Sequence, residues 1–317
     1  MTVEKNNVLK GIRTSNSFSG NTTFFRRDFG TDFGNADVVI QGLPYDLGVS
    51  NRPGARFGPR SIREASCQLA WGEVWPWGFD PFDKIAVMDT GDIEYSYGNS
   101  KEFFRNTAKQ TNKIVSAGAI PFTLGGDHSI SSALLMEVSK VHGPVSLLQF
   151  DAHADTGIGP KIQHGAMFKI AADAGTINPA KSIQIGLRTP FNSTLGFNTI
   201  TAVEAMYQSS KILSERIETV IGKSACYVSI DIDCLDPSHA PGTGTPIPGG
   251  LTTLQLLEIL RALGGTKLNI VGLDLVEVAP DYDHAQITSL AAAQICQESL
   301  CLISKTKPQH KKTYLKS

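Results

Sequence analysis

Three short stretches carry carboxylates and imidazoles at spacings that could hold metal ions. Asp151, His153 and Asp155 alternate in Asp-Ala-His-Ala-Asp, Asp231 and Asp233 flank Ile232, and His128 closes Gly-Gly-Asp-His. On extended backbone, residues two apart share a face, so each alternating set is expected to present its polar groups on one side. Four carboxylates and an imidazole aimed into one crevice repel one another and resist desolvation unless cations neutralise them. A pair of divalent cations does so. With His128 the candidate ligands number six: His128, Asp151, His153, Asp155, Asp231 and Asp233. Oxygen dominates and no cysteine is among them, which disfavours structural zinc. Carboxylate-rich sites suit Mn2+ or Mg2+, the two imidazoles favour Mn2+, and Zn2+, Co2+ and Ni2+ stay open on chemistry alone. Six ligands serve two ions only if some carboxylates bridge, and such a centre acidifies a bridging water into a hydroxide nucleophile at neutral pH.

Two further residues suit proton and substrate handling. His164, in Gln-His-Gly, has the imidazole chemistry of a proton shuttle near neutral pH. Glu277 lies in the apolar run Leu-Val-Glu-Val, where a carboxylate is costly unless paired. A planar cationic substrate group held by two parallel hydrogen bonds satisfies it; an internal arginine is the structural alternative.

These residues need a scaffold that brings distant segments together. Near-continuous Val, Ile and Leu runs predict strands at residues 37–42, 84–88, 120–124, 145–150, 182–187, 226–230 and 268–273. Helices are expected at 61–71, 106–117, 129–140, 209–221, 253–263 and 287–303. The alternation predicts an α/β fold, with parallel strands covered by helices on both faces in one domain. Each polar cluster follows a strand, and open parallel sheets bind ligands beyond the carboxyl ends of their strands. Residues 1–30 are polar and read as an N-terminal arm, residues 31–304 as one catalytic domain, and residues 305–317 as a solvated basic tail.

Composition narrows the partners. Lys plus Arg is 29 against 30 for Asp plus Glu, a net charge of −1. That balance makes no electrostatic case for nucleic acid or an anionic membrane. No run of 18 consecutive apolar residues occurs, so no transmembrane helix is expected, and the first twenty residues lack an apolar signal core. Five cysteines without a Cys-x-x-Cys pair read as buried thiols in a reducing, cytoplasmic setting.

The stretches GGDHS (125–129), DAHAD (151–155), HGAMF (164–168) and SIDIDCLDPSHAPGTGTPIPGG (229–250) resemble the ureohydrolase superfamily of arginases, agmatinases and related guanidino-compound hydrolases. GLPYDLGVSNRPGARFGPRSIREAS (42–66), AWGEVWPWGFD (70–80) and VGLDLVEVAPDYDHAQIT (271–288) look most like the bacterial agmatinases. Residues 156–163 lack the Asn and Ser set with which arginases hold the α-amino and α-carboxylate groups of arginine.

The resemblance implies a three-layer α/β/α sandwich around a mostly parallel eight-stranded sheet, assembled as homo-trimers or homo-hexamers. It implies two Mn2+ per subunit: one among His128, Asp151, Asp155 and Asp231, the other among Asp151, His153, Asp231 and Asp233. Asp151 and Asp231 would bridge. A metal-bridging hydroxide would attack the guanidinium carbon of agmatine, giving putrescine and urea. Asp155 would also hydrogen-bond the nucleophile and help pass its proton to the leaving amine, His164 would shuttle protons, and Glu277 would hold the guanidinium.

Lys161 could instead hold the carboxylate of a guanidino acid such as 4-guanidinobutyrate or 3-guanidinopropionate. A metal-binding regulatory protein without turnover would be expected to lack a ligand, the shuttle or Glu277, and none is missing. Trp71, Trp75 and Trp77 could pack in a core or subunit interface or line the substrate entrance. Arg52, Arg56 and Arg60 are open between salt bridges and substrate contact.

Overall fold

The apolar runs become strands buried on both faces. The structure, a computed structural model, describes residues 9–11, 16–157, 163–191 and 193–306. Its strands are β1 (Val38–Leu43), β2 (Val87–Asp92), β3 (Ile120–Gly125), β4 (Ser146–Phe150), β5 (Ile183–Leu187), β6 (Asn198–Thr201), β7 (Ala225–Asp231) and β8 (Asn269–Val276). They form one sheet in the order β2-β1-β3-β8-β7-β4-β5-β6, and every pairing is parallel.

The helices are α1 (Gly58–Ser66), α2 (Pro81–Lys84), α3 (Ser100–Ser116), α4 (Ser131–His142), α5 (Met167–Asp173), α6 (Ala202–Tyr207), α7 (Ser210–Ile221), α8 (Thr253–Leu263) and α9 (Ile287–Thr306). One core gathers α1, α7, α8 and α9 against the sheet through Ile62, Ile217, Leu260 and Ile295. The other gathers α3, α4 and α5 through Phe103, Leu134 and Phe168. Two cores on one sheet are the expected three layers. Local signals set the helix starts: Ser209 caps α7, and Thr252 with Gln255 forms a reciprocal capping box on α8.

Several expectations need correction. The polar strand β6 has only Ile200 fully buried, so no apolar run marks it. Lys84 ends helix α2 rather than starting a strand, because Asp80 caps that turn by accepting from the Phe82 N–H. Helix α3 begins at Ser100, where Asn99 caps it, ahead of the expected 106. Residues 1–30 are not wholly an arm: Phe24 and Phe25 are fully buried, and the Phe25 ring lies 5.6 Å from that of Phe82. Of the basic tail, residues 305–306 finish α9 and residues 307–317 lie outside the described set. Among the described residues, α9 alone is long and apolar enough to cross a membrane by length and composition, and 78% of that stretch is buried inside the fold. All five cysteines are free and buried.

Candidate metal centre

Strands β3, β8, β7 and β4 are consecutive in the sheet, so their carboxyl ends stand side by side. Phe150 pairs with Ile230, and Ile230 with Leu275, so Asp151 and Asp231 leave neighbouring strands at the same level. His128 follows β3 and Glu277 follows β8. Gly126 permits this junction: a Cβ there would stand 2.0 Å from the Tyr45 carbonyl oxygen.

The alternating sets do not continue as extended strand. Asp151 Oδ1 accepts from the His153 N–H at 2.6 Å, and Asp231 Oδ1 from the Asp233 N–H at 2.9 Å. These side-chain turns curl each segment back over its strand end. Asp155 closes the first with a left-handed backbone, φ 52°. Turn chemistry, not the pleat, gathers the carboxylates.

All six expected ligands converge. His128 Nδ1 lies 3.2 Å from Asp151 Oδ2, 3.0 Å from Asp155 Oδ2 and 3.2 Å from Asp231 Oδ2. His153 Nδ1 lies 3.0 Å from Asp233 Oδ2 and 3.4 Å from Asp151 Oδ1. Two groups emerge with ion-holding geometry: His128, Asp151 and Asp231, and Asp151, His153 and Asp233. Asp151 belongs to both.

The electrostatics fit cations. Burial, with the charges of Asp233 and Asp151, pushes the Asp231 carboxyl well above its usual range. Burial and Asp151 push Asp155 up to about 7. Burial opposes a charged His153, but the Asp151 and Asp233 carboxylates override it and carry the imidazole up to about 12. Two imidazoles are thus too little positive charge to keep all four carboxylates ionised, and divalent cations supply the rest. His128 Nδ1 is buried and makes no hydrogen bond despite its three close oxygens. An oxygen-rich donor set with an unused imidazole nitrogen suits divalent first-row ions.

His128 is oriented from behind. Its Nε2 meets Ser229 Oγ at 2.8 Å, and that hydroxyl donates to Asp274 Oδ1 at 2.6 Å. Asp274 Oδ2 accepts from Ser131 and Tyr227, both at 2.7 Å. Such outer partners fix a ligand's ring and tautomer.

A cavity of about 140 Å³ opens over the cluster, lined by Ser50, His153, Asp155, Gln163, His164, Gly165, Asp231 and Thr245. Glu277 sits beside it with a left-handed backbone, φ 65°. Its Oε1 accepts from the His128 N–H at 2.8 Å and meets His164 Nδ1 at 2.9 Å. Its Oε2 is buried with no hydrogen-bond partner, and no arginine meets it among the described residues. Gly244 leaves room there: a Cβ would lie 3.3 Å from Oε2.

Ser50 and Thr245 were not singled out in the sequence, although both lie inside stretches, 42–66 and 229–250, that carry the family resemblance. Trp71 and Trp75 are exposed and absent from the cavity lining, while Trp77 turns inward and its indole N–H donates to Glu298. Arg56 pairs with Asp46, and Arg52 lies over the Tyr282 ring. Lys161 lies outside the described residues.

Residues 36–301 match the model of the arginase family. The chain is 44% identical over 303 residues to an agmatinase of Chromobacterium violaceum, covering 94% of each. A solved structure of a hypothetical agmatinase from Burkholderia thailandensis is 42% identical with a TM-score of 0.91, covering 94% of this chain and 95% of that one. A proclavaminate amidino hydrolase from Streptomyces clavuligerus is 37% identical with a TM-score of 0.88, covering 92% of this chain and 100% of that one.

Proposed function

The chain belongs to the arginase family and is an agmatinase-like ureohydrolase, and from that premise we propose that it hydrolyses the guanidino group of agmatine to putrescine and urea. The observation that carries this reading is Glu277 Oε2, a buried acceptor with no partner beside five residues in two metal-capable groups, with Asp155 adjoining them at His128. A guanidinium offers the planar pair of N–H donors that such a carboxylate lacks. The relatives named agmatinase support the choice of substrate.

Two Mn2+ ions, held by His128, Asp151, Asp155 and Asp231 on one side and by Asp151, His153, Asp231 and Asp233 on the other, would supply the Lewis acidity that makes water nucleophilic at neutral pH. The chain's own residues do the rest. Glu277 orients the guanidinium with its carbon over the cluster. Asp155, lining the cavity, takes the proton of the attacking water. His164 delivers a proton to the leaving amine, held in place by Glu277 at Nδ1. Assembly as a homo-trimer or homo-hexamer in the cytoplasm belongs to the same reading.

The test is urea release by the Mn2+-loaded protein from agmatine, 4-guanidinobutyrate, 3-guanidinopropionate and arginine, side by side. Preference for agmatine supports the proposal. Preference for a guanidino acid keeps the chemistry, overturns the substrate and makes Lys161 the first residue to change. Silence on all four, with two ions bound, overturns the agmatine reading and moves the question to another guanidino substrate or metal.

A further inference from the structure

Both ring nitrogens of His164 are occupied, and the occupant of the second bears on how its proton reaches the substrate. Nδ1 faces Glu277 Oε1 at 2.9 Å, and a carboxylate only accepts, so Nδ1 carries a proton. Nε2 receives the Ser50 backbone N–H at 3.0 Å, and an amide N–H only donates, so Nε2 presents a lone pair. Ser50 Oγ lies 2.7 Å from the same nitrogen. A hydroxyl can donate to neutral Nε2 and equally accept from a protonated one. It is the hydrogen-bonding group at Nε2 that serves both states of the imidazole.

The approach is built in. The loop carrying Ser50 is pinned where the Gly48 N–H donates to Asp127 Oδ2 at 2.7 Å and the Gly48 carbonyl accepts from the His164 N–H at 3.1 Å. That gives the Asp of Gly-Gly-Asp-His, which is not among the six ligands, a task. His164 is buried and Ser50 exposed, and both line the cavity, so the imidazole and the hydroxyl meet at its wall.

We propose that Ser50 is the proton relay between His164 and the reacting group in the cavity. This rests on His164 being the proton carrier of the proposed hydrolysis. Once Nε2 has taken up a proton from solvent in the cavity, that proton passes to Ser50 Oγ as the Oγ proton passes to the leaving nitrogen. That nitrogen receives the electron pair of the breaking C–N bond. The imidazolium returns to neutral imidazole and the hydroxyl is regenerated.

The experiment compares wild type, S50A and S50T. S50A is expected to lose about tenfold or more in kcat, within the range of a lost proton-transfer partner, with KM within about twofold. Metal content should be unchanged, small amine buffers should restore part of the rate, and S50T should recover most of it. Independently of activity, 15N-histidine spectra of the metal-free protein read the Nε2 resonance of His164, assigned with H164N. It should move downfield in S50A as the hydroxyl donor is lost and return in S50T. A resonance unmoved in S50A, or a kcat unchanged there, overturns the relay. If wild type releases urea from no guanidino compound, the substrate reading falls instead, and the Nε2 resonance alone decides whether the Ser50 hydroxyl engages His164.

Discussion

The substitution Glu277→Gln separates substrate binding from folding at one atom. Oε1 already takes two donors, the His128 N–H and His164 Nδ1, so the oxygen of the new amide fills that place. The amide NH2 then stands where Oε2 stood and points a donor at the guanidinium. Two charge-assisted hydrogen bonds are lost, each worth about 1.5–3 kcal/mol, or about 3–6 kcal/mol together. At about 1.36 kcal/mol per decade, kcat/KM for urea release should fall by about 10² to 10⁴. Stability should barely move. In the free protein Oε2 is buried without a partner, so exchanging it for an amide NH2 trades one unpartnered buried group for another and leaves stability within about 1 kcal/mol. Steady-state kinetics at fixed Mn2+, denaturant unfolding and metal analysis on the same preparation provide the three readings. A kcat/KM within tenfold of wild type, with two ions bound, would refute the guanidinium assignment. A large loss of stability would refute the claim that Oε2 lacks a partner.

Asp231→Ala should abolish turnover and release part of the bound metal, because Asp231 lies 3.2 Å from His128 Nδ1 at the heart of the cluster; full activity with two ions bound is the contrary result of kinetics and metal analysis. His164→Ala should lower kcat while both ions stay, and loss of metal would mark it as a ligand instead. Arg63→Ala should destabilise the fold by about 3–5 kcal/mol, since it strands a buried Asp89 that Arg63 contacts at 2.8 and 3.0 Å. Thermal unfolding checks this, with a fall of about 4–8 °C expected.

The six candidate ligands were legible because each follows an apolar strand, and strand ends of a parallel sheet converge whatever their separation in sequence. The manner of convergence was not. Alternation suggested a pleated row, whereas Asp151 and Asp231 each curl the chain by accepting the N–H two residues on. Strand β6 escaped because an edge strand of Asn-Thr-Ile-Thr carries no apolar signal. Phe24 and Phe25 were hidden in a polar segment whose neighbours outvoted them. Ser50 lies 114 residues from His164, and only the folded loop pinned by Asp127 brings the two together.

The central claim is that these six side chains hold two divalent ions. Anomalous diffraction at the manganese edge, on crystals grown with Mn2+, tests it most directly. Two peaks are expected, one beside His128 and Asp155 and the other beside His153 and Asp233, with Asp151 reaching both. A single peak, or peaks away from these residues, would contradict the site.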